Sequence, residues 1–256
     1  MAKSFEEVLF ADTGLHQLRL PRTGVKVFDV QAQDNGRPVG AYTLADLLDG
    51  DFGGLTTSDV SDLADLNRTV SRDYNLDAKG GVGGLAGLVA KAKGALAAKG
   101  ARQVAFRWVE GQLVQADQGG LDRAILKSKI RPDGPLARGL AGVVITAVAS
   151  TTRYTIQLVD ADGGSVSAQA DAADAVSAEL GAKVEVSKSG GLEVTHPTPV
   201  VFAVRCIVLQ PKTFGGGLRI VYPKGPRELM GETPGQDLHA EYVAVTGVAG
   251  DTLDFR

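Results

Sequence analysis

The chain has 256 residues, enough for one large domain or two small ones, and 44 % of them are hydrophobic, which supplies a core. It carries 27 basic and 30 acidic residues for a formal charge of -3 with no long basic run, which excludes the charge footprint of a nucleic-acid binder. The single cysteine, Cys206, excludes a disulfide framework within the chain and suits a reducing cytosol.

Residues 1–10 are charged and short of apolar side chains, so no signal peptide is expected there. No stretch reaches the roughly 20 apolar residues of a transmembrane helix. Aromatics are only 5 %, so the core must rest on Val, Leu and Ile, and the 33 glycines together with abundant alanine are unusual.

Residues 25–33 alternate apolar and polar and run into Asp34, Asn35 and Gly36. Asn-Gly favours positive φ and a tight hairpin, so 37–42 is the expected return strand. Thr43 is placed to cap a short helix over 44–48. Ser58 is placed to cap another, with Val60, Leu63 and Leu66 on one face. Residues 78–101 form a Gly/Ala/Lys tract. Residues 102–109 read as a strand with Val104, Phe106 and Trp108 inward, and Glu110-Gly111 turns it into 112–115. Residues 121–130 are a helix candidate stopped by Pro132.

Residues 143–148 read as a buried strand, and 154–159 alternate. The run 192–209 is strand-rich, and its 200–209 part is apolar except for Arg205. Its β-branched content and the nearby Pro197 and Pro199 favour a strand over a buried helix. Beyond Pro211 the chain is loop-rich, with Gly215-Gly216-Gly217, Pro223, Pro226 and Pro234, then a short apolar segment over 242–248. The expected fold class is α+β: a single domain with a mainly antiparallel central sheet and peripheral helices over 1–211, plus a short C-terminal segment over 212–256.

The motifs of familiar chemistry fail on inspection. Lys79-Gly80-Gly81-Val82-Gly83 starts like a phosphate-binding loop, but Gly84 and Leu85 follow where a lysine and a hydroxyl are needed. His16, His196 and His239 are scattered, with no metal-like neighbour at i+3 or i+4. No Gly-x-Ser-x-Gly elbow exists, and Cys206 lies in an expected core strand, where a packing role outweighs a nucleophilic one. Asp160 and Asp162 beside Gly163-Gly164 read as a turn, since a calcium loop needs more ligands at fixed spacing. No enzyme activity and no cofactor are expected.

A different signal is the parity of positions. A transmembrane β-strand needs about 9–11 residues, apolar toward lipid and polar toward the lumen. Over 164–172 and 176–186 the even positions are small or apolar, among them Val166, Val176, Leu180, Val184 and Val186, while Ser165, Ser167, Gln169, Glu179 and Glu185 are odd. Over 66–78 the odd positions are polar and the even ones include Leu66, Val70, Tyr74 and Leu76. Over 84–100 the even ones include Leu88 and Leu96, and Lys91, Lys93 and Lys99 are odd. A Gly-rich turn at 80–84 would join that pair. Residues 85–99 and 171–180 also fit a helical period, because alanine has strong helix propensity. Segments satisfying both periods suit a conformational switch. The same pattern also fits ordinary half-buried sheet with amphipathic helices, and Arg68 and Arg72 fall on the proposed lipid face, at about 2–4 kcal/mol each near mid-bilayer.

The order of landmarks adds a family. Leu20-Pro21-Arg22-Thr23-Gly24 before a strand resembles the opening of bacterial gasdermins. The segments Tyr42-Thr43-Leu44-Ala45-Asp46-Leu47-Leu48, then Gly142-Val143-Val144-Ile145-Thr146-Ala147-Val148-Ala149-Ser150, then Leu192-Glu193-Val194-Thr195-His196-Pro197 with Val200-Val201-Phe202-Ala203-Val204-Arg205 are similar to that family's later landmarks, in order. The resemblance covers about residues 10–210.

The resemblance implies a gasdermin N-domain-like twisted sheet and a pore former restrained by a C-terminal segment. A protease removes that segment, and the freed domain binds membrane lipids, assembles into a homo-oligomer and inserts two hairpins per subunit, in cell death that serves anti-phage defence. The protein would be a cytoplasmic monomer when inactive and lie at the inner membrane when active. The hairpin candidates are Leu66, Val70, Tyr74, Leu76, Leu88, Leu96, Tyr154, Ile156, Leu158, Val166, Val176, Leu180, Val184 and Val186. Headgroup contact falls to Arg19, Arg22, Lys26, Lys91 and Lys93, at about 1 kcal/mol per basic residue near an anionic surface. The cleavage region holds Thr213, Gly217, Gly225, Glu228 and Gly235. The family's lipidated N-terminal cysteine is missing from residues 1–10. Two alternatives stand beside this reading: a pore former controlled by a partner protein, and a non-enzymatic α+β binding or scaffold module.

Overall fold

Alternating β-branched segments dominate the chain, and they pair into strands. The structure is a computed structural model that describes residues 13–35, 37–63, 74–75, 103–159, 165–168, 170–212, 217–223, 243–247 and 251–255. In order these form β1 (His16–Arg22), β2 (Val30–Asp34), β3 (Arg37–Tyr42), α1 (Leu44–Leu47), β4 (Leu48–Asp49), β5 (Ser61–Asp62), β6 (Tyr74–Asn75), β7 (Gln103–Val109) and β8 (Gln112–Gln115). Then come α2 (Gln118–Lys127), β9 (Lys129–Ile130), a 3-10 turn (Leu136–Arg138), β10 (Ala141–Val159), β11 (Ser165–Val166), α3 (Ala170–Leu180), β12 (Lys183–Val186), β13 (Leu192–Pro211), β14 (Leu218–Val221), β15 (Val243–Gly247) and β16 (Asp251–Phe255). The mainly antiparallel sheet with a few helices is the expected fold class.

The chain divides into two compact units, one of 1–61, 113–149 and 201–256, the other of 62–112 and 150–200. In the first unit the strands follow the order β15-β16-β1-β13-β10-β2-β3. The two-residue loop between Asp34 and Arg37 puts Asn35 at φ 48°, the left-handed region a tight hairpin requires. Core side chains sort by strand parity. Leu18, Val143, Ile145, Val204, Cys206 and Val208 pack in one cluster, and Val144, Ile207 and Leu209 in the other. The second cluster is covered by Leu44 and Leu47 of α1 and by Leu121 and Ile125 of α2. A Cβ at Gly142 would sit 2.4 Å from Leu47 Cδ2, so any larger residue there would force the Leu47 side chain of α1 to shift.

Several local expectations are corrected. The first expected strand begins only at Val30, because Phe28 takes φ 73° and the chain turns there, the Asp29 carboxylate accepting from the Lys26 amide at 2.7 Å. Residues 58–63 are extended rather than helical. Ser58 donates its amide to the Gln115 carbonyl at 2.7 Å, and Leu63 donates to Gly111 at 2.7 Å, so sheet hydrogen bonds outcompete the cap. Helix α2 starts three residues before the expected point, through Gly119 and Gly120, and ends at Lys127. Leu121 and Ile125, one turn apart and fully buried, override the two glycines.

In the second unit β7 pairs with the later part of β10, from Arg153↔Val109 to Val159↔Gln103. There β12 pairs with the start of β13, from Lys183↔Thr195 to Val186↔Leu192. The sequence reading separates 143–148 from 154–159, but they are one strand of 19 residues. Thr151 and Thr152, both β-branched, keep the intervening segment extended.

Candidate functional site

The longest strands change character along their length. In the first unit, Gly142 to Ala149 of β10 and Val201 to Leu209 of β13 are buried at nearly every position, Arg205 excepted, as in a strand covered on both faces. In the second unit the same strands alternate. Tyr154, Ile156 and Leu158 are buried while Arg153 is exposed and Thr155 and Gln157 are half-buried. On β13, Leu192 and Val194 are buried while Glu193, Thr195 and Pro197 are exposed. The register sets Tyr154 opposite Trp108, Ile156 opposite Phe106 and Leu158 opposite Val104. The Trp108 and Tyr154 rings lie 5.4 Å apart at 51°. One face of this antiparallel pair is therefore an apolar stripe, and the other holds Arg153, which pairs with Glu110 at 2.8 Å.

Helix α3 answers the double periodicity of 170–186. Residues Ala170–Leu180 are helical, with Ala173 and Val176 buried one turn apart. Gly181 takes φ 58°, the left-handed conformation that ends helices, and Ser177 Oγ donates to the Ala182 carbonyl at 2.7 Å. The expected strands over 164–172 and 176–186 are thus reduced to Ser165–Val166 and Lys183–Val186. Alanine's helix propensity wins where a buried stripe supports it.

The other hairpin candidates fall as follows. Val166 lies opposite Leu158, and Tyr74 opposite Val104. Leu180 ends α3. Val184 is half-buried opposite Val194, and Val186 is 41 % exposed opposite Leu192. Leu66, Val70, Leu76, Leu88, Leu96, Lys91 and Lys93 lie outside the described residues, as do Thr213, Gly225, Glu228 and Gly235. Gly217 closes the β13–β14 turn, its carbonyl accepting from the Lys212 amide at 2.8 Å. Arg19 and Arg22 belong to β1, and Lys26 is exposed just after it.

A feature that the sequence reading misses lies in the first unit. Residues 243–247 and 251–255 form an antiparallel hairpin, Val243↔Phe255 to Gly247↔Asp251. Its strand β16 pairs with β1 at Leu18↔Phe255, and β15 lies against β3 and β2. The hairpin therefore meets the strands at both ends of the path β1-β13-β10-β2-β3. The apolar segment 242–248 was legible, but its partner was not. The alternation Thr252-Leu253-Asp254-Phe255 after Gly250 is the signal that marks it.

Around β1, Arg205 is half-buried. It donates through Nη2 to the Thr13 carbonyl and through Nη1 to Gln115 Oε1 at 3.4 Å, and burial lowers its pKa. His16 is 1 % exposed, and burial followed by the Arg205 charge holds its imidazole down at about 4. Burial pushes the Cys206 thiol up, which leaves it a poor nucleophile. Tyr222 donates to Asp122 Oδ2 at 2.7 Å, and burial followed by that bond pushes its phenol up to about 12. Among the described residues no group of His, Cys, Asp and Glu is placed to hold a metal ion, and no helix is long and apolar enough to cross a membrane.

Comparison with known proteins gives two findings. The sequence model described as the Bacterial Gasdermin Family matches residues 18–214. The fold is similar to the structure of a bacterial gasdermin from Bradyrhizobium tropiciagri, with TM-score 0.63 and 13 % identity over 86 % of this chain and 92 % of that one. No curated protein sequence matches the chain.

Proposed function

Because the chain belongs to the bacterial gasdermin family, we propose that it is the soluble precursor of a membrane pore, kept closed by residues 212–256 and released when a protease cuts between 213 and 235. A pore-forming, gasdermin-like function follows from family and fold. The family is non-enzymatic. The steps beyond that are our reading.

The change of burial pattern along β10 and β13 carries it. The stretches buried on both sides suit a scaffold that persists. The alternating stretches, with Tyr154, Ile156 and Leu158 on one side and Arg153 on the other, already have the one-face-apolar pattern of a barrel strand. At 19 and 20 residues the two strands exceed the roughly 9–11 that cross a bilayer. Regions 66–100 and 151–188 are the hairpins that insert, α3 unwinding into strand. The backbone of an open sheet edge has no partner in hydrocarbon, so insertion and closure by neighbouring copies must be coupled. The hairpin β15–β16 supports a restraining role, since it holds the β1 edge and lies along β3, where further pairing would start. Cutting its tether lowers its effective concentration, and it leaves. Arg19, Arg22 and Lys26 are the proposed headgroup contacts, and the inner membrane is the target in cell death that defends against phage.

Expression in bacterial cells tests this. A chain ending at residue 212 is expected to arrest growth and admit propidium within one generation, while the full chain does neither. Equal harmlessness of both chains would refute the restraint. Equal toxicity would move control to a partner protein.

A further inference from the structure

The turn between β12 and β13 is tied back onto the chain that precedes α3. Ser187 donates its amide to the Gly191 carbonyl at 2.7 Å, and Ser187 Oγ accepts from the Gly191 amide at 2.9 Å, which closes the turn. The Gly190 carbonyl accepts from the Ala168 amide at 2.6 Å. Two glycines make this seat. Gly190 takes φ 82°, and a Cβ there would lie 2.7 Å from Ser167 Oγ. A Cβ at Gly191 would lie 2.9 Å from the Ile156 carbonyl oxygen of β10, so a side chain there has to displace backbone. All of these residues belong to the second unit.

The contact closes a loop. Helix α3 and strand β12 occupy the chain between Ala168 and Gly190, and they pack against each other. Were residues 168–190 one extended strand, its two ends would stand about 70 Å apart. Here they are hydrogen-bonded. The folded arrangement and a strand running through all of α3 therefore exclude each other.

We propose that the Gly190–Gly191 turn is a clasp, and that its undocking from Ala168 and β10 is the step that frees α3 to become strand. The inference rests on reading 151–188 as an inserting hairpin. The bond between the Ala168 and Gly190 backbones holds both ends of the helical excursion, so that stretch cannot straighten while the bond stands. One glycine serves the positive φ and the other the close approach to Ile156. Release of the sheet edge by cutting is then necessary for insertion but not sufficient, because the clasp is a second, local barrier.

Two measurements test this. The first is hydrogen exchange in the intact full chain without membrane, read by mass spectrometry. Gly191→Ala is expected to speed exchange of residues 170–186 about tenfold while residues 30–34 and 143–149 keep their native rates. Unchanged exchange over 170–186, or equal speeding in all three segments, would overturn the proposal. Should Gly191→Ala fail to fold, Ser187→Ala removes only the hydroxyl that closes the turn, and it carries the same expectation at about fivefold. The second measurement locks the clasp. A Cβ at Gly190 would lie 3.2 Å from Ser167 Cβ, near the roughly 3.8 Å of a disulfide, and Cys206 is buried away from oxidant. The full chain carrying Ser167→Cys and Gly190→Cys is oxidised, cut within 213–235 and added to anionic liposomes. Dye release is expected to be at least tenfold slower than from the same cut protein after reduction. Equal release before and after reduction would overturn the clasp and leave the pore reading standing. No release from the cut native chain would instead sink the pore reading, and the exchange experiment alone would then decide the clasp.

Discussion

Arg205 interrupts an otherwise apolar run, and its guanidinium ties β13 to the Thr13 carbonyl and to Gln115. Gly14 makes room for it: a Cβ there would lie 3.2 Å from Arg205 Nε, and φ is 67°. The sequence marks Arg205 as an exception but offers no partner, because Thr13 is 192 residues away in the chain. His16, opposite Val204, has a sharper consequence. Its ordinary pKa of 6.5 applies to the unfolded chain, while burial beside Arg205 lowers it to about 4 in the fold. Between those values the unfolded state binds more protons, so stability is full above about pH 6.5 and is lost as pH falls toward 4. The gap is worth on the order of 3 kcal/mol at its lower end. Urea midpoints at pH 7.5, 5.5 and 4.5 are expected to fall more steeply in the native chain than in His16→Gln. Parallel slopes would contradict this assignment.

At the scale of elements, the sequence was most readable where periodicity and burial agree. The Asn35-Gly36 hairpin, β7 and β8 fall close to their expected places. It was least readable where two periods coexist or where distant strands decide. Over 170–186 alanine fits helix and strand alike, and only the burial of Ala173 and Val176 selects the helix. The prolines of β13 are tolerated for a reason invisible in the sequence. Its pairs with β12 end at Thr195 and those with β1 begin at Val201, so Pro197 and Pro199 fall between them. The proposed insertion of β12 predicts a separation of effects. Val186 is 41 % exposed, so Val186→Asp is expected to change soluble stability by no more than about 0.5 kcal/mol. A charge on the lipid face of an inserted strand costs about 2–4 kcal/mol at mid-bilayer. The variant is therefore expected to unfold in urea like the native chain and to release liposome contents at least tenfold more slowly. Equal leakage would remove Val186 from the lipid face.

For the whole molecule, the colinear order of weak landmarks carried more than any one motif. The family match over 18–214 covers nearly the stretch over which that order resembles gasdermins. What the sequence withheld was the fate of the tail. Read as loops and one apolar segment, it instead forms a two-stranded hairpin set on β1, β2 and β3. That arrangement depends on contacts more than 200 residues apart in the chain, such as Leu18↔Phe255, which no local pattern encodes. It also gives the account its central claim: one segment holds a sheet whose alternating strands are ready to cross a bilayer.

The most direct measurement is dye release from anionic liposomes by the full chain, before and after limited proteolysis within 213–235. The account predicts tight liposomes with intact protein and rapid release after the cut. No release from the cut protein, with its sheet still folded by circular dichroism, would contradict it.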